Sequence, residues 1–233
     1  MFYTNRRSPV NPRICAVKDA FVRAVAGYQL TPLELPADAL AVVADSLDRT
    51  GLFLLGEMHS VAQTPLAILA LVSRLGIRTL AFEWSYDELD VVVQPVLSTG
   101  RIDLDALWAL PPSAEVFSAD GRFTAGHVRI LEHLSDRLDG IVLLDRVGSE
   151  SQERENGMAR RLLDDRRRES RTLVVLGAAH VLREPFEGLD PVGRLVEREL
   201  SGVANGILAP AGAEQLRTDV VFPIGPAEPA VVP

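Results

Sequence analysis

Leu52–Ser60 reads LFLLGEMHS: four apolar residues run into Gly56, and Glu57 and His59 follow two positions apart. Leu173–Val181, LVVLGAAHV, repeats the figure, with His180 three positions after Gly177 as His59 is after Gly56. A short unbroken apolar run that stops at a turn residue is the pattern of a strand buried on both faces. Such strands belong to parallel sheets connected through helices, so the stretches between the two figures should alternate between helix and strand.

They do. SVAQTPLAILALVSRLG has Pro65 near its start and Gly76 at its end, the punctuation of a helix. IRTLAFEW (77–84) is the next strand pattern and SYDELDVVVQPVL the next helix. RFTAGHVRILEHLSDRLDG is apolar at Val128, Leu131, Leu134 and Leu138, a helical spacing, and leads into the strand pattern GIVLLD (140–145). ESQERENGMARRLLDDRRRES is a third long helix before the strand 172–177. The expected fold is α/β: a central, mainly parallel sheet with helices on both faces, two pseudo-repeated strand-GxxH halves and N-terminal helices at about 15–28 and 36–49. Residues 1–50 would form an arm and packing helices, 51–222 a single α/β domain, and 223–233 a weakly ordered proline-rich tail. Residues 99–121, irregular and proline-containing yet carrying Leu107, Trp108, Leu110 and Phe117, would either fold over a site as a lid or cover the sheet edge as permanent core.

Composition narrows the functions. At 233 residues with 47% apolar residues the chain suits one α/β domain with a sizeable core. A net charge of -8 argues against nucleic acid, since nothing would neutralise a phosphate backbone. Cys15 is the single cysteine, which excludes an intrachain disulfide and a thiolate metal cluster. No window approaches the ~18 apolar residues of a membrane span, and the opening residues lack a secretory h-region. The expectation is a cytoplasmic protein with no membrane partner, with homo-oligomerisation left open.

In a parallel sheet all strand C-termini share one edge, where ligands bind. Glu57 and His59, then Glu83, then Asp145 and Arg146, then His180 would meet on that rim. Two carboxylates and two imidazoles crowded together shift one another's pKa, which is how an acid and a base are set apart at neutral pH. His127 lies at a helix start and could face the rim, whereas His133 reads as exposed. Arg154, on the first turns of the helix after the third strand, could hold an anionic group, and Arg146 and Trp84 are further candidates for contacting substrate. There is no G-x-S-x-G elbow, dinucleotide or P-loop glycine motif, or H-E-x-x-H. Glu57, His59, Glu83, His127 and His180 would still make a plausible N/O ligand set for Mn, Fe or Zn.

With GEMHS, AFEW, RENGMA and VVLGAAHV in this order, the chain resembles the superfamily that groups erythromycin esterase-like proteins, ChaN-like haem and iron proteins and the Tiki/TraB proteins. Glu57, His59, Glu83, Arg154, Met158 and His180 fall on its pattern of G-E-x-H, a second-strand glutamate, R-[DE]-x-x-M-A and G-x-x-H, over about residues 51–222. The resemblance implies a cleft lined by these residues and, for esterase-like members, a histidine acting as general base on water without a serine nucleophile. The Tiki branch implies metal-dependent proteolysis, and the ChaN branch iron or haem. The chain lacks the large helical insertions of macrolide esterases.

Two functions are expected from these residues. In the first, an enzyme acts on a small molecule with no cofactor, as a hydrolase or as an elimination or cyclisation catalyst. His59 is then the leading base, Glu57 or Glu83 orients it, and His180 is a second acid/base or a donor to a developing oxyanion. In the second, a carrier uses the same residues to hold a divalent metal or haem.

Overall fold

A computed structural model describes residues 12–117, 120–146, 151–165, 170–210 and 218–233. The apolar runs pair as a six-stranded, wholly parallel sheet: β1 (Leu52–Glu57), β2 (Thr79–Ser85), β3 (Gly140–Asp145), β4 (Thr172–Gly177), β5 (Ala204–Pro210) and β6 (Val220–Ile224), in the order β3-β2-β4-β1-β5-β6. The helices are α1 (Pro12–Gly27), α2 (Ala37–Thr50), α3 (Gln63–Leu75), α4 (Tyr86–Val93), α5 (Val96–Thr99), α6 (Leu104–Ala109), α7 (Ala125–Leu134), α8 (Ser151–Asp165) and α9 (Val192–Glu199).

Strand periodicity decides which residues meet which helix layer. Phe53, Leu55, Phe82 and Val175 point to one face and pack with Val43, Leu47, Ile68, Leu71 and Leu131 of α2, α3 and α7. Their neighbours Leu54, Ala81, Val174 and Leu176 point to the other face and meet Met158, Leu162 and Val196 of α8 and α9. Both faces are therefore dry, and each fully buried leucine or phenylalanine contributes roughly 1.5–3 kcal/mol. Gly51 (φ 77°) takes the left-handed conformation that ends α2 and turns the chain directly into β1.

The two G-x-x-H figures lie on adjacent strands, but one residue out of step. Glu57 pairs with Gly177, while Gly56 pairs with Leu176. The two glycines thus fall on opposite faces of the sheet, and neither makes the sharp turn that its place at a strand end suggests. Gly56 is there for packing: a Cβ would lie 2.7 Å from Val181 and 2.9 Å from Ile207.

Three features differ from the sequence expectation or complete it. ANGILAP is a central-layer strand, β5, although Asn205 and Gly206 interrupt its apolar run. Asn205 is buried and donates to Val181 O at 2.6 Å, and a Cβ on Gly206 would strike Val220 at 2.5 Å and Phe53 at 2.9 Å. The tail is not loose after Phe222. Val220–Ile224 is strand β6, and 226–231 form a strap: Ala62 N donates to Glu228 O, Ala230 N to Ser60 O, Ala125 N to Val231 O, and Gln63 Nε2 to Pro226 O. Backbone hydrogen bonding to the loop after β1 compensates there for the missing proline N–H groups. Of the segment 99–121, Leu107, Ala114 and Val116 are buried in the main core, and Trp108 stacks on Phe117 at 5.3 Å. Among its described residues the segment packs as part of the main core. No helix among the described residues is long and apolar enough to cross a membrane.

Candidate functional site

β1, β2 and β4 end side by side, and their last residues build the centre of the site. Glu57 closes β1 with its side chain buried, and His59, two residues on, lies back over it with Nδ1 3.3 Å from Glu57 Oε1. Burial pushes the Glu57 carboxyl up, partly offset by His59. For His59 burial works downward, but the Glu57 hydrogen bond and the Glu57 and Glu83 charges outweigh it, and its pKa is raised. The loop that carries His59 is pinned. Ser60 holds a left-handed φ of 62°, donates its N–H to Gly121 O, and packs so closely on Gly121 (φ 74°) that a Cβ there would lie 1.9 Å from Ser60 Oγ. Only glycine at 121 permits this loop.

Gly177 supplies the space between the strands. A Cβ on it would lie 3.1 Å from His59 Nε2 and 3.3 Å from Glu83 Oε2, so the bare backbone is what lets imidazole and carboxylate approach each other. Its N–H also donates to Glu83 Oε2 at 2.6 Å. Just beyond, residues Ala178–Val181 wind into a 3-10 turn that lifts His180 onto the rim.

Glu83, 3% exposed, is the hub. Its Oε1 receives Arg154 Nη2 at 2.5 Å and lies 3.3 Å from His180 Nε2 and 3.4 Å from Arg122 Nη1. Burial alone would raise its pKa; the His180 hydrogen bond and charge, with Arg154 and Arg122, reverse that and hold it well below the carboxylate range. Arg154 reaches Glu83 from α8 while also clasping buried Asp145 at the end of β3, with Nε at 2.9 Å and Nη2 at 2.5 Å from Oδ2. Arg122 Nη1 lies 3.3 Å from the same Asp145 oxygen, and its Nε lies 2.8 Å from Asp120. His180 has Nδ1 2.5 Å from Glu155 Oε1 and Nε2 3.3 Å from Arg154 Nη1. Burial works against the charged imidazole. The Glu155 and Glu83 carboxylates prevail, and the imidazole's pKa rises to about 9.

The structure therefore brings Glu57, His59, Glu83, His180 and Arg154 together, and it places the remaining candidates elsewhere. His127 is buried within α7's first turn. Its Nδ1 accepts the Thr124 N–H at 3.2 Å in a capping box, and its ring stands edge-on to Trp84 at 5.2 Å. Burial and the nearby His59 charge lower its pKa to about 3, so it is a neutral structural imidazole. Trp84 alternates to the face opposite Glu83, stacks on Phe82 at 4.0 Å and donates to Arg122 O at 2.9 Å. It braces Arg122 from the core and lines a small cleft with Glu83, Val116 and Arg122. Arg146 turns outward to Asp87 at 3.5 Å, two-thirds exposed. Arg154 is held by carboxylates and does not stand open for an anion.

Sequence reading did not single out Arg122, and it did not assign Glu155 or Asp145 a role. Asp145 could be found from its place at a strand end and Glu155 from its place beside Arg154, whereas Arg122 has no local signal. The five-residue N/O set does not fit a divalent metal. His127 is turned into the core, Glu83 is taken up by two guanidiniums and a backbone N–H, and among the described residues no group of three or more His, Cys, Asp or Glu is arranged to hold an ion.

No protein-family model matches the chain, and no curated protein matches it. Solved structures do. The chain is similar to the C-terminal region of Pasteurella multocida toxin, described as having a thiol-protease-like catalytic triad (10% identity, 93% of this chain, 33% of that one, TM-score 0.51). It is also similar to RRSP, a MARTX toxin effector domain from Vibrio vulnificus (16%, 94% and 50%, 0.49), and to a chain described under bacterial protein toxins (16%, 82% and 39%, 0.50). The likeness is one of fold. The chain spans between a third and a half of the length of these structures.

Proposed function

We propose that the chain is an acid–base enzyme that hydrolyses a small organic molecule, with water as nucleophile and His59 as general base. The observation that carries the reading is the pairing of each rim imidazole with its own buried carboxylate, Glu57 for His59 and Glu155 for His180, on either side of Glu83. With Nδ1–H donated to Glu57, His59 Nε2 is left as the basic nitrogen beside Gly177. It takes a proton from water, the water oxygen bonds to the substrate's acyl carbon, and the bond from that carbon to the leaving oxygen breaks. His180, across Glu83, serves the oxygen on which negative charge develops. An elimination or cyclisation would draw on the same two proton carriers.

A thiol nucleophile of the kind described for the Pasteurella toxin does not suit this rim. The residues of the rim, Glu57, His59, Glu83, Arg154 and His180, include no thiol. The reading supports kinship with the erythromycin esterase-like, ChaN-like and Tiki/TraB grouping, with the esterase-like chemistry favoured over metal carriage. The test is hydrolysis of p-nitrophenyl acetate and a wider ester panel in isotopically labelled water. His59→Ala should stay folded and lose turnover by ~10²-fold or more, and the acid product should carry the label. Unlabelled product would point to elimination or cyclisation, and full activity in His59→Ala would overturn the reading.

A further inference from the structure

Glu155 has both carboxylate oxygens committed, and to different elements. Oε1 meets His180 Nδ1 at 2.5 Å, while Oε2 accepts the N–H of Val192, the first residue of α9, at 2.9 Å. The Val192 bond fixes the side chain so that Oε1 addresses the imidazole. Glu155 is 4% exposed, so water does not compete for it. On the far side of the ring, Glu83 is already shared among Arg154, Arg122 and Gly177 N, and Arg154 Nη1 itself lies 3.3 Å from Nε2. Glu83 also draws a proton to Nε2, but its charge is divided among these donors, whereas Glu155 Oε1 addresses the imidazole.

We propose that Glu155 is a positioning residue that makes His180 the proton donor of the site: it fixes one proton at Nδ1 and so keeps the other at Nε2, facing the rim. This rests on the acid–base reading above. In turnover the Nε2 proton passes to the leaving oxygen as its bond to carbon breaks. His180 is left neutral with Nδ1–H still on Glu155, and the proton that His59 took from water returns through solvent. The charged groups that bear on the ring are Glu155 and Arg154 from α8 and Glu83 from β2, with Arg122 on that same carboxylate and His59 within reach of its charge.

Glu155→Gln tests this, because the amide oxygen can still accept from Val192 while the charge is gone. The His180 imidazole is followed by NMR titration in wild type and variant, beside the pH–rate profile on an alkyl acetate, whose alkoxide leaving group needs the proton. The acidity of His180 should rise roughly tenfold or more in Glu155→Gln, and the alkaline limb of the profile should move to lower pH with it while the acid limb stays. An unchanged titration, or wild-type His180 that is already neutral at pH 7 by ring nitrogen shifts, overturns the proposal even if Glu155→Gln fails to fold. A titration that moves without the alkaline limb shows that Glu155 charges His180 but that His180 is not the donor. If His59→Ala and His180→Ala both keep full turnover while the titration still moves, it is the acid–base reading that has failed.

Discussion

His180 makes the stability of the molecule depend on pH. Its folded pKa, about 9, lies above the ordinary value of ~6.5. A raised pKa contributes stability that is complete below the unfolded value and is lost as pH rises through the folded one. Denaturant unfolding at pH 6 and pH 9.5 should therefore show a fall of roughly 3 kcal/mol, and His180→Gln should flatten it. Glu83 has the opposite sign: its depressed pKa stabilises above the normal carboxylate range and is lost only in strong acid. Glu83→Gln leaves the half-buried Arg154, Arg122 and His180 short of counter-charge around a buried position, at a cost of about 3–5 kcal/mol. These two residues, with Glu57 and His59, were legible in the sequence because the end of a parallel strand fixes where the next one or two side chains fall. Arg122 was not, because its role depends on a long side chain reaching in from a loop.

The helices and connections divide by what holds them. The strap 226–231 is tied to the loop after β1 by Gln63, whose Nε2 donates to Pro226 O while its Oε1 accepts from Glu228 N. Gln63→Ala removes both bonds at once. Amide exchange should then quicken at residues 60–63 and 226–231, and activity should fall with it, since the same loop carries His59. The segment through α6 is different in kind. Leu107 is fully buried, so its amides should exchange slowly with or without ligand, and Leu107→Ala should cost about 2–5 kcal/mol in a urea titration. Apolar content alone could not distinguish a core layer from a lid, because both bury the same residues and differ only in whether they open. The tail was misjudged for a related reason: its prolines forbid regular pairing, yet the carbonyls on either side of them remain free to accept.

Across the whole molecule, the sequence displayed four of the six strands as unbroken aliphatic runs. β5 was obscured by the buried asparagine and glycine that its neighbours require, and the order of strands is written nowhere in local pattern. That order, β3-β2-β4-β1-β5-β6, has an effect on how the protein comes into being. β1 and β2 are never bonded to each other; each is bonded to β4, Leu55 and Ala81 for instance flanking Val175 and Val174. β4 is a keystone, made some ninety residues after β2 and driven between two strands that have been waiting apart. A nascent chain released through α8 already contains Glu57, His59, Glu83 and Arg154, yet the first pair reaches the second only through the Ser60–Gly121 loop contact and Arg122, with no strand between them. The wedge arrives carrying Gly177 and His180 at its tip, so the act that closes the sheet is the act that creates the chemistry.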